Sequence, residues 1–484
     1  MRQRLGRIAL LGFFAAGGDL AEAGEWRDRV AFTLSWRLRG EGVDYFRPPA
    51  GAAPEDANRY AFLGSQLRAG VLVTWPHVQL VLEAQDTRLF GVPADASLPA
   101  PFGNLGPGAI YFAHTPETNQ GAIFLKQGVL TFTHGGLSAG AGRFEYSDGL
   151  ETVPSDPSLA WIKRARVAER LVGPFGYTHV TRSFDGLRVA YDRPRWNATA
   201  LMTRPTHGGF EVEANRDFGE VDLAGLALTA KPFVQKPADV RFFYLYYRDR
   251  RPDPVKVDNR PLSVRQLDRE PIRVHSVGGH AATVAPAGPG SVDALVWGVR
   301  QSGSWGRLDH RAWAFALETG YQLGALRGKP WLRLGWNRSS GDDDPLDGTH
   351  GTFVQIIPTP RPYAQFPFYN LMNGDDRFVQ LLLFRAADRV SLRADLHWLR
   401  LRDGADLWYA GGGATNDRTF GFSGVPARGG RDLARLLDLG LTARLHPKLI
   451  AYAYFGRAFG GDVVARTFAG ADASYGYLEL TFRR

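Results

Sequence analysis

Apolar and polar residues alternate with a period of two in long segments that recur along the whole chain. In the stretch Lys329 to Gly348, Leu332, Leu334 and Trp336 fall on one face of a predicted strand and Arg333 falls on the other. A strand that crosses a membrane needs about 9–11 residues, whereas strands of soluble sheets are nearer about 5–6 residues long. The length and the repetition of these segments therefore indicate a transmembrane β-barrel.

Eighteen segments show this alternation. They cover roughly 30–41, 60–74, 78–88, 122–133, 137–146, 185–193, 195–204, 219–230, 239–249, 271–281, 291–303, 311–323, 330–338, 377–386, 389–401, 434–445, 448–459 and 473–482. Short connections at 75–77, 134–136, 386–388 and 446–448 alternate with long ones, of which 89–121, 147–184, 339–376 and 402–433 are the longest. The pattern predicts an all-β fold: a transmembrane antiparallel β-barrel of about 18 strands with short periplasmic turns and long extracellular loops.

One segment within a long connection, 158–173, is rich in Ala, Arg, Glu and Leu. These residues favour a helix over a strand, and an extra strand here would break the alternation of short and long connections. We therefore predict a basic helix in an extracellular loop.

The N-terminus has the features of a secretory signal peptide. Arg2, Arg4 and Arg7 precede an apolar run from Ile8 to Ala16, and the sequence Ala-Glu-Ala at 21–23 fits a cleavage site. The apolar run is too short for a membrane-spanning helix, which needs about 20 residues. We predict a signal peptide at 1–23, a single barrel domain at 24–484, and export to the outer membrane of a Gram-negative cell.

Two motifs suggest other chemistry. Ser138 lies in "HGGLSAG", which contains a GxSxG, but a hydrolase nucleophile requires a strand followed by a helix, whereas strand-like alternation continues here. Asp343 and Asp347 lie in "DDDPLDG", where Pro345 replaces a ligand of a calcium loop, so a solvated loop is the preferred interpretation. No enzyme or cofactor is therefore predicted, and loose calcium binding by Asp343 and Asp347 is the lesser alternative to a loop without metal.

Composition narrows the remaining choices. Cysteine is absent, which excludes disulfides, thiolate metal sites and cysteine nucleophiles. The formal net charge is +9, and about +8 without the predicted signal peptide. The chain has no nucleotide-binding glycine motif, and we predict no nucleic-acid partner.

If the apolar faces of the strands contact lipid, the opposite faces line the pore with charge. The predicted pore-lining and anion-binding residues are Arg37, Arg39, Arg68, Arg143, Arg188, Arg273, Arg333, Arg393, Arg444, Glu83, Glu318 and Asp395. Salt bridges among them would stiffen a polar wall, since buried charges are usually paired. An excess of arginine over acid would also form a track for anions, because guanidinium groups bind carboxylates through two hydrogen bonds.

The segment "HRAWAFALETGYQLGALRGKPWLRLGWNRSSGDDDPLDGTHGTFVQIIPT" resembles the alginate-export family of outer-membrane barrels. The resemblance rests on Glu318, Gly320 and Tyr321, then Lys329 and Pro330, Ser340 to Asp342, Asp347 and Gly348, Thr352 and Phe353, and Pro358 and Thr359. The segments at 142–149 and 182–192 are similar to earlier parts of the family.

The resemblance implies an 18-stranded barrel and passive passage of an anionic, alginate-like polysaccharide. A porin selective for small anions is the alternative. An interpretation from a different functional class is an outer-membrane hydrolase with Ser138 as its nucleophile. The expected partners are the polysaccharide or small anions, outer-membrane lipid and periplasmic export proteins.

Overall fold

The computed structural model describes residues 29–231, 237–359, 364–385 and 389–484. Eighteen antiparallel strands form one closed barrel, in which each strand pairs with its neighbours in sequence and the last strand pairs with the first. The strands are β1 Val30–Asp44, β2 Arg59–Thr74, β3 Val78–Phe90, β4 Asn119–His134, β5 Leu137–Phe144, β6 Phe184–Asp192, β7 Trp196–Pro205, β8 Val221–Ala230, β9 Ala238–Asp249, β10 Ile272–Ala287, β11 Gly290–Trp305, β12 Leu308–Gln322, β13 Trp331–Ser339, β14 Gly374–Arg385, β15 Val390–Leu401, β16 Asp432–His446, β17 Leu449–Gly460 and β18 Asp472–Arg483. The predicted fold and strand number are confirmed.

The outside of the barrel is apolar, as the alternation predicts. On β13 the side chains of Leu332 and Leu334 are 50% and 49% exposed, whereas that of Arg333 between them is fully buried inside the barrel. Phe32 on β1 and Leu480 on β18 are likewise exposed. Successive side chains of a strand point to opposite faces, so the exposed apolar face is the one that contacts lipid.

Connections differ at the two ends of the barrel. The rim that we call the short-turn rim carries the connections at 75–77, 135–136 and 447–448, and β1 begins and β18 ends there. The other rim, the long-loop rim, carries the connections at 91–118, 145–183, 340–373 and 402–431. Two connections depart from the pattern: 323–330 is an eight-residue turn at the short-turn rim, and 306–307 is a two-residue turn at the long-loop rim. The predicted turn at 386–388 and the predicted signal peptide at 1–23 lie outside the described residues.

Four short α-helices occur in the long loops: α1 Pro107–His114, α2 Pro157–Ile162, α3 Leu262–Leu267 and α4 Asp462–Ala465. None of the helices in the described ranges is long and apolar enough to cross a membrane. The loops also contain a short strand, Thr349–His350, and a hairpin, Leu407–Gly411 with Phe422–Pro426.

The long loops fold into the barrel and pack against its inner wall, and the ring of Trp161 reaches Trp331 at the short-turn end of β13. Leu171 and Val172 of the loop at 145–183 and Ile357 of the loop at 340–373 are fully buried, and they share an apolar cluster with Trp297 and Trp331 of the wall. The two loops also exchange backbone hydrogen bonds, from Ile357 N to Leu171 O at 2.9 Å and from Gly173 N to Ile357 O at 2.9 Å. The core of this barrel is therefore made between its loops and its inner wall.

The predicted helix at 158–173 is correct only in part. Helix α2 is capped by Asp156, whose Oδ1 accepts a hydrogen bond from Leu159 N at 2.8 Å, and Pro157 occupies the first turn. The chain continues as a π-helical turn, Lys163–Val167, and then becomes irregular. The segment lies in a long loop as predicted, and that loop folds inwards, so its basic side chains Lys163, Arg166 and Arg170 are buried against the wall.

Candidate functional site

The loop at 145–183, which we call the inner loop, crosses the lumen and is fixed to strands on different sides of it. Lys163 Nζ lies 2.8 Å from Asp239 on β9, and Arg166 Nε lies 2.9 Å from Glu318 on β12. On β1, Glu41 Oε1 lies 2.6 Å from His179 Nε2. Ion pairs and hydrogen bonds of this kind hold a loop in one position when both partners are buried. The inner loop therefore narrows the channel.

Glu318 is the centre of the largest of these attachments. Its carboxylate accepts from Arg166, from Arg170 Nη2 at 3.1 Å and from Arg333 Nη1 at 3.0 Å, and none of these side chains is appreciably exposed. Arg333 also donates from Nη2 to Asp293 Oδ1 at 2.9 Å. Three guanidinium groups thus share two carboxylates. Arg333 lies inside the barrel as predicted, but its role here is to bind the wall and the inner loop together.

A second attachment joins the end of the inner loop to β1 and β18. Arg39 donates to Glu479 on β18 at 2.9 Å and to the backbone oxygen of Tyr177 at 2.9 Å. Burial lowers the pKa of His179 to about 4, although the adjacent Glu41 opposes this shift. His179 is therefore neutral at pH 7 and hydrogen-bonds Glu41 without carrying a charge.

Arg37, Arg68 and Arg393 are among the predicted arginines that keep part of their side chain exposed within the lumen. The exposed fraction is 13% for Arg37, 17% for Arg68 and 20% for Arg393, against 4% for Arg39 and none for Arg333. All three lie within eight residues of the short-turn ends of their strands, and Arg37 and Arg68 contact the inner loop there.

Each of these three arginines also has an acidic neighbour. Arg68 Nη1 lies 3.1 Å from Glu145, Arg37 Nε lies 3.9 Å from Glu479, and Arg393 Nε donates to Asp395 at 2.6 Å. Arg37 donates in addition to Gly176 O and Thr178 O, and Arg68 to Gln85 and Thr181, so these two arginines also hold the inner loop. A guanidinium group has five N–H donors, so each of the three arginines retains donors for an anion.

The other predicted residues occupy varied positions. Glu83 lies inside the barrel, 3.8 Å from Arg68, and Asp395 is fully buried beside Arg393. The guanidinium of Arg188 lies on the inner face, 5.7 Å from the ring of Phe144. Arg444 lies at the short-turn end of β16, where it is exposed.

Arg143 and Arg273 were predicted to face the lumen, and this prediction is wrong. Arg143 pairs across the strands with Asp185, two residues from the exposed Leu187, and its Nη2 lies 2.6 Å from that carboxylate on the outer face. Arg273 is exposed and shares its face of β10 with Val277, which is 61% exposed. Both arginines lie near the long-loop rim. The inward-facing residues there are apolar because they pack against the loops, so the polar residues that alternate with them point outwards.

Sequence reasoning missed several buried cations. Lys163, Arg166 and Arg170 are spaced three and four residues apart, so a basic stripe along one helical face was visible in the sequence. Arg241 on β9 is fully buried, and its Nη2 lies 2.7 Å from Glu151 of the inner loop. No pattern identified the face of Arg241, because apolar and aromatic residues occur on both faces of β9.

The two motifs that suggested other chemistry have ordinary surroundings. Ser138 is buried on the inner face of β5, within a strand, where neither a sharp turn nor a helix follows it. Asp343 and Asp347 are exposed, and Asp347 Oδ1 accepts a hydrogen bond from Thr349 N at 2.7 Å, as in an ordinary polar turn.

Comparison with known proteins gives a family and a fold. The family model for alginate export matches residues 123–472, which is more than half of the chain. No curated protein matches the chain.

Several solved outer-membrane proteins share the architecture. The crystal structure of Pseudomonas aeruginosa OccK8 (OprE) is 11% identical with a TM-score of 0.53, and the match covers 96% of this chain and 99% of that one. P. aeruginosa OccK9 (OpdG) is 11% identical with a TM-score of 0.56, covering 95% and 99%. P. aeruginosa OpdK, solved with vanillate, is 9% identical with a TM-score of 0.54, covering 94% and 98%. At such low identity these likenesses show the fold alone.

Proposed function

Because the chain belongs to the alginate-export family, we propose that it is an outer-membrane channel for passive passage of an anionic, carboxylated polysaccharide. Family membership and the porin-like barrel together support a transport channel, and the proposed activity is transport without catalysis. Residues 1–23 direct export and 24–484 form the barrel. Outer-membrane lipid surrounds the apolar face, and periplasmic export proteins deliver the polymer to the short-turn rim.

The partly exposed guanidinium groups of Arg37, Arg68 and Arg393 carry this proposal. They present positive charge in the lumen towards the short-turn rim, where each carboxylated sugar unit would meet it. Glu145 and Glu479 beside them weaken the binding of each unit. Several moderate sites in series let a polyanion move along a pore without being trapped at one of them.

Single-channel recording in planar bilayers tests the proposal. We expect anion selectivity in the unmodified protein and current block by added polyuronate, both weaker at high salt because the Debye length falls to about 3 Å at 1 M. Replacing Arg37, Arg68 and Arg393 together by Gln should remove the selectivity and the block, while each single replacement should change them only slightly.

The outer-face pair Arg143 and Arg273, both replaced by Gln, is the matched control, because it removes positive charge without altering the lumen. Cation selectivity in the unmodified protein, or equal block of the triple variant and the control, would overturn the proposal.

A channel for small anions is the second candidate. The long loops that fold into the lumen favour it, and the fold relative OpdK was solved with vanillate, a small carboxylate. Block by a monomeric uronate or vanillate together with indifference to polyuronate would support this alternative over polysaccharide passage.

A further inference from the structure

Two adjacent strands place three metal-binding side chains together inside the barrel wall. Asp395 and His397 are two residues apart on β15 and therefore share a face, and Asp438 on β16 is the direct cross-strand partner of Asp395. All three are buried, and each offers one ligand atom within 4.8 Å of the other two. Like charges directly opposite each other destabilise a sheet, so two buried carboxylates in this register require a positive partner.

The imidazole of His397 is oriented towards these carboxylates. Its Nδ1 lies 2.8 Å from Asp376 Oδ1 on β14, and this hydrogen bond places a proton on Nδ1 and turns Nε2 towards Asp395. Nε2 lies 3.9 Å from Asp395 Oδ2 and makes no hydrogen bond with any residue that the structure describes, although the side chain is fully buried. A carboxylate that orients a histidine in this way is the usual outer partner of a metal-binding imidazole.

The cluster combines three carboxyl groups, Asp376, Asp395 and Asp438, with two basic groups, Arg393 and His397. A divalent cation at His397 Nε2 would take the place of a proton on that nitrogen, because a metal-binding imidazole is neutral.

The carboxylates retain oxygen lone pairs for such an ion. Asp395 accepts from Arg393 Nε at 2.6 Å and from Gln380 Nε2 at 3.0 Å, and Asp438 accepts from the Tyr454 hydroxyl and from Gln365 N at 2.8 Å. A carboxylate has about four lone-pair sites, so neither group is saturated by these donors.

We propose that Asp395, His397 and Asp438 bind one divalent transition-metal ion, with Zn²⁺ as the best fit, and that Asp376 positions His397. One imidazole nitrogen with two carboxylate oxygens is a ligand set that Zn²⁺ accepts, and water completes a four-coordinate shell. The ion would connect β14, β15 and β16 through their inward-facing side chains.

Metal titration of the folded barrel in detergent tests the site. The protein is prepared without a polyhistidine tag, treated with a chelator, and titrated with Zn²⁺ or with Co²⁺, whose visible absorption reports coordination by nitrogen and oxygen. His77 and His134 are both replaced by Gln in this background, because their rings lie 5.4 Å apart at the short-turn rim and could bind metal on the surface. We expect one equivalent of metal per barrel.

Three variants separate the roles of the side chains. His397→Gln and Asp438→Asn should abolish stoichiometric binding and the Co²⁺ spectrum. Asp376→Asn should weaken binding by about 10–100-fold and keep the spectrum, as loss of an orienting partner does. Asp375→Asn, which changes the neighbouring residue on the other face of β14, is the control and should bind like the parent.

A folded parent that takes up no stoichiometric Zn²⁺ or Co²⁺ would overturn the proposal, as would a folded His397→Gln variant with the affinity of the parent. If His397→Gln does not fold, the metal affinities of Asp376→Asn and Asp375→Asn are compared instead. Equal affinities of these two variants would overturn the site.

Discussion

Arg166 and Glu318 form an ion pair across the lumen although 152 residues separate them in the sequence. Arg166 donates from Nε to one carboxylate oxygen and from Nη2 to the other, each at 2.9 Å. The first residue belongs to the inner loop and the second to β12, so this contact fixes the element that narrows the channel to the wall that surrounds it.

Replacing Arg166 by Met should loosen the inner loop. Glu318 would keep Arg170 and Arg333 as partners, so the barrel should still fold. Each hydrogen bond to a charged group contributes about 1.5–3 kcal/mol to stability. Its loss should therefore make local opening of the inner loop more frequent by about tenfold or a larger factor. We expect a larger single-channel conductance with more frequent transitions.

Arg164→Met provides the control, because Arg164 lies in the same π-helical turn but is exposed. Equal conductance of the two variants would show that the inner loop does not depend on the contact with Glu318.

A charge on the outer face should destabilise the barrel. Leu334 is half exposed on the apolar surface of β13, so Leu334→Arg would place a guanidinium in the hydrocarbon region. The free energy of unfolding should fall by about 2–4 kcal/mol if the site lies at the bilayer midplane. Denaturant titration in lipid vesicles measures this change, and Leu346→Arg in an exposed loop should have no effect. An unchanged unfolding curve for Leu334→Arg would mean that this face does not contact lipid.

Alternation was sufficient to predict the barrel because lipid outside and charge inside impose opposite requirements on neighbouring residues. Leu332, Arg333 and Leu334 follow this rule, and their faces are as predicted. The rule failed for Arg273, because the inward-facing neighbours Ile272 and Val274 are apolar where they pack against the loops.

The position of the inner loop could not be predicted from local pattern. Its ion pairs join residues far apart in the sequence, such as His179 with Glu41 and Arg241 with Asp148, and no period relates them. The basic stripe from Lys163 to Arg170 indicated a binding face, but nothing in the sequence identified the barrel wall as its partner. For Arg143, the small residues at 138–142 gave no apolar face from which to infer its direction.

Ser138→Ala should leave channel properties unchanged. Ser138 lies within β5, where the geometry of a nucleophile elbow is absent, and the substitution removes one buried hydroxyl group. Conductance and polyuronate block should equal those of the parent, and no ester hydrolysis should be detected in either protein. Hydrolysis by the parent that the substitution abolishes would support an enzyme instead.

Asp342 and Asp406 join two of the long loops and suggest a dependence on pH. Asp406 Oδ2 accepts from Asp342 N at 3.0 Å and from Thr352 Oγ1 at 2.6 Å, and Oδ1 accepts from the Tyr409 hydroxyl at 2.7 Å. Burial raises the pKa of Asp342 to about 7, and the charge of Asp406 adds to this shift. Burial likewise raises the pKa of Asp406 to about 6, against the hydrogen bonds that favour its charged form.

Because both pKa values are raised in the folded protein, the folded state retains these protons to higher pH than the unfolded chain does. The stability that protonation gives to this junction is complete below the unfolded pKa of about 3.9 and is lost as the pH rises through about 6 to 7. Hydrogen exchange in residues 340–373 should therefore be slower at about pH 5 than at about pH 8, after correction for the intrinsic dependence on pH. Asp342→Asn removes one of the two titrating groups and should reduce the difference in exchange between the two pH values, whereas the exposed Asp343→Asn should behave like the parent. Equal corrected exchange in the parent at both pH values would mean that neither carboxyl group controls the packing of these loops.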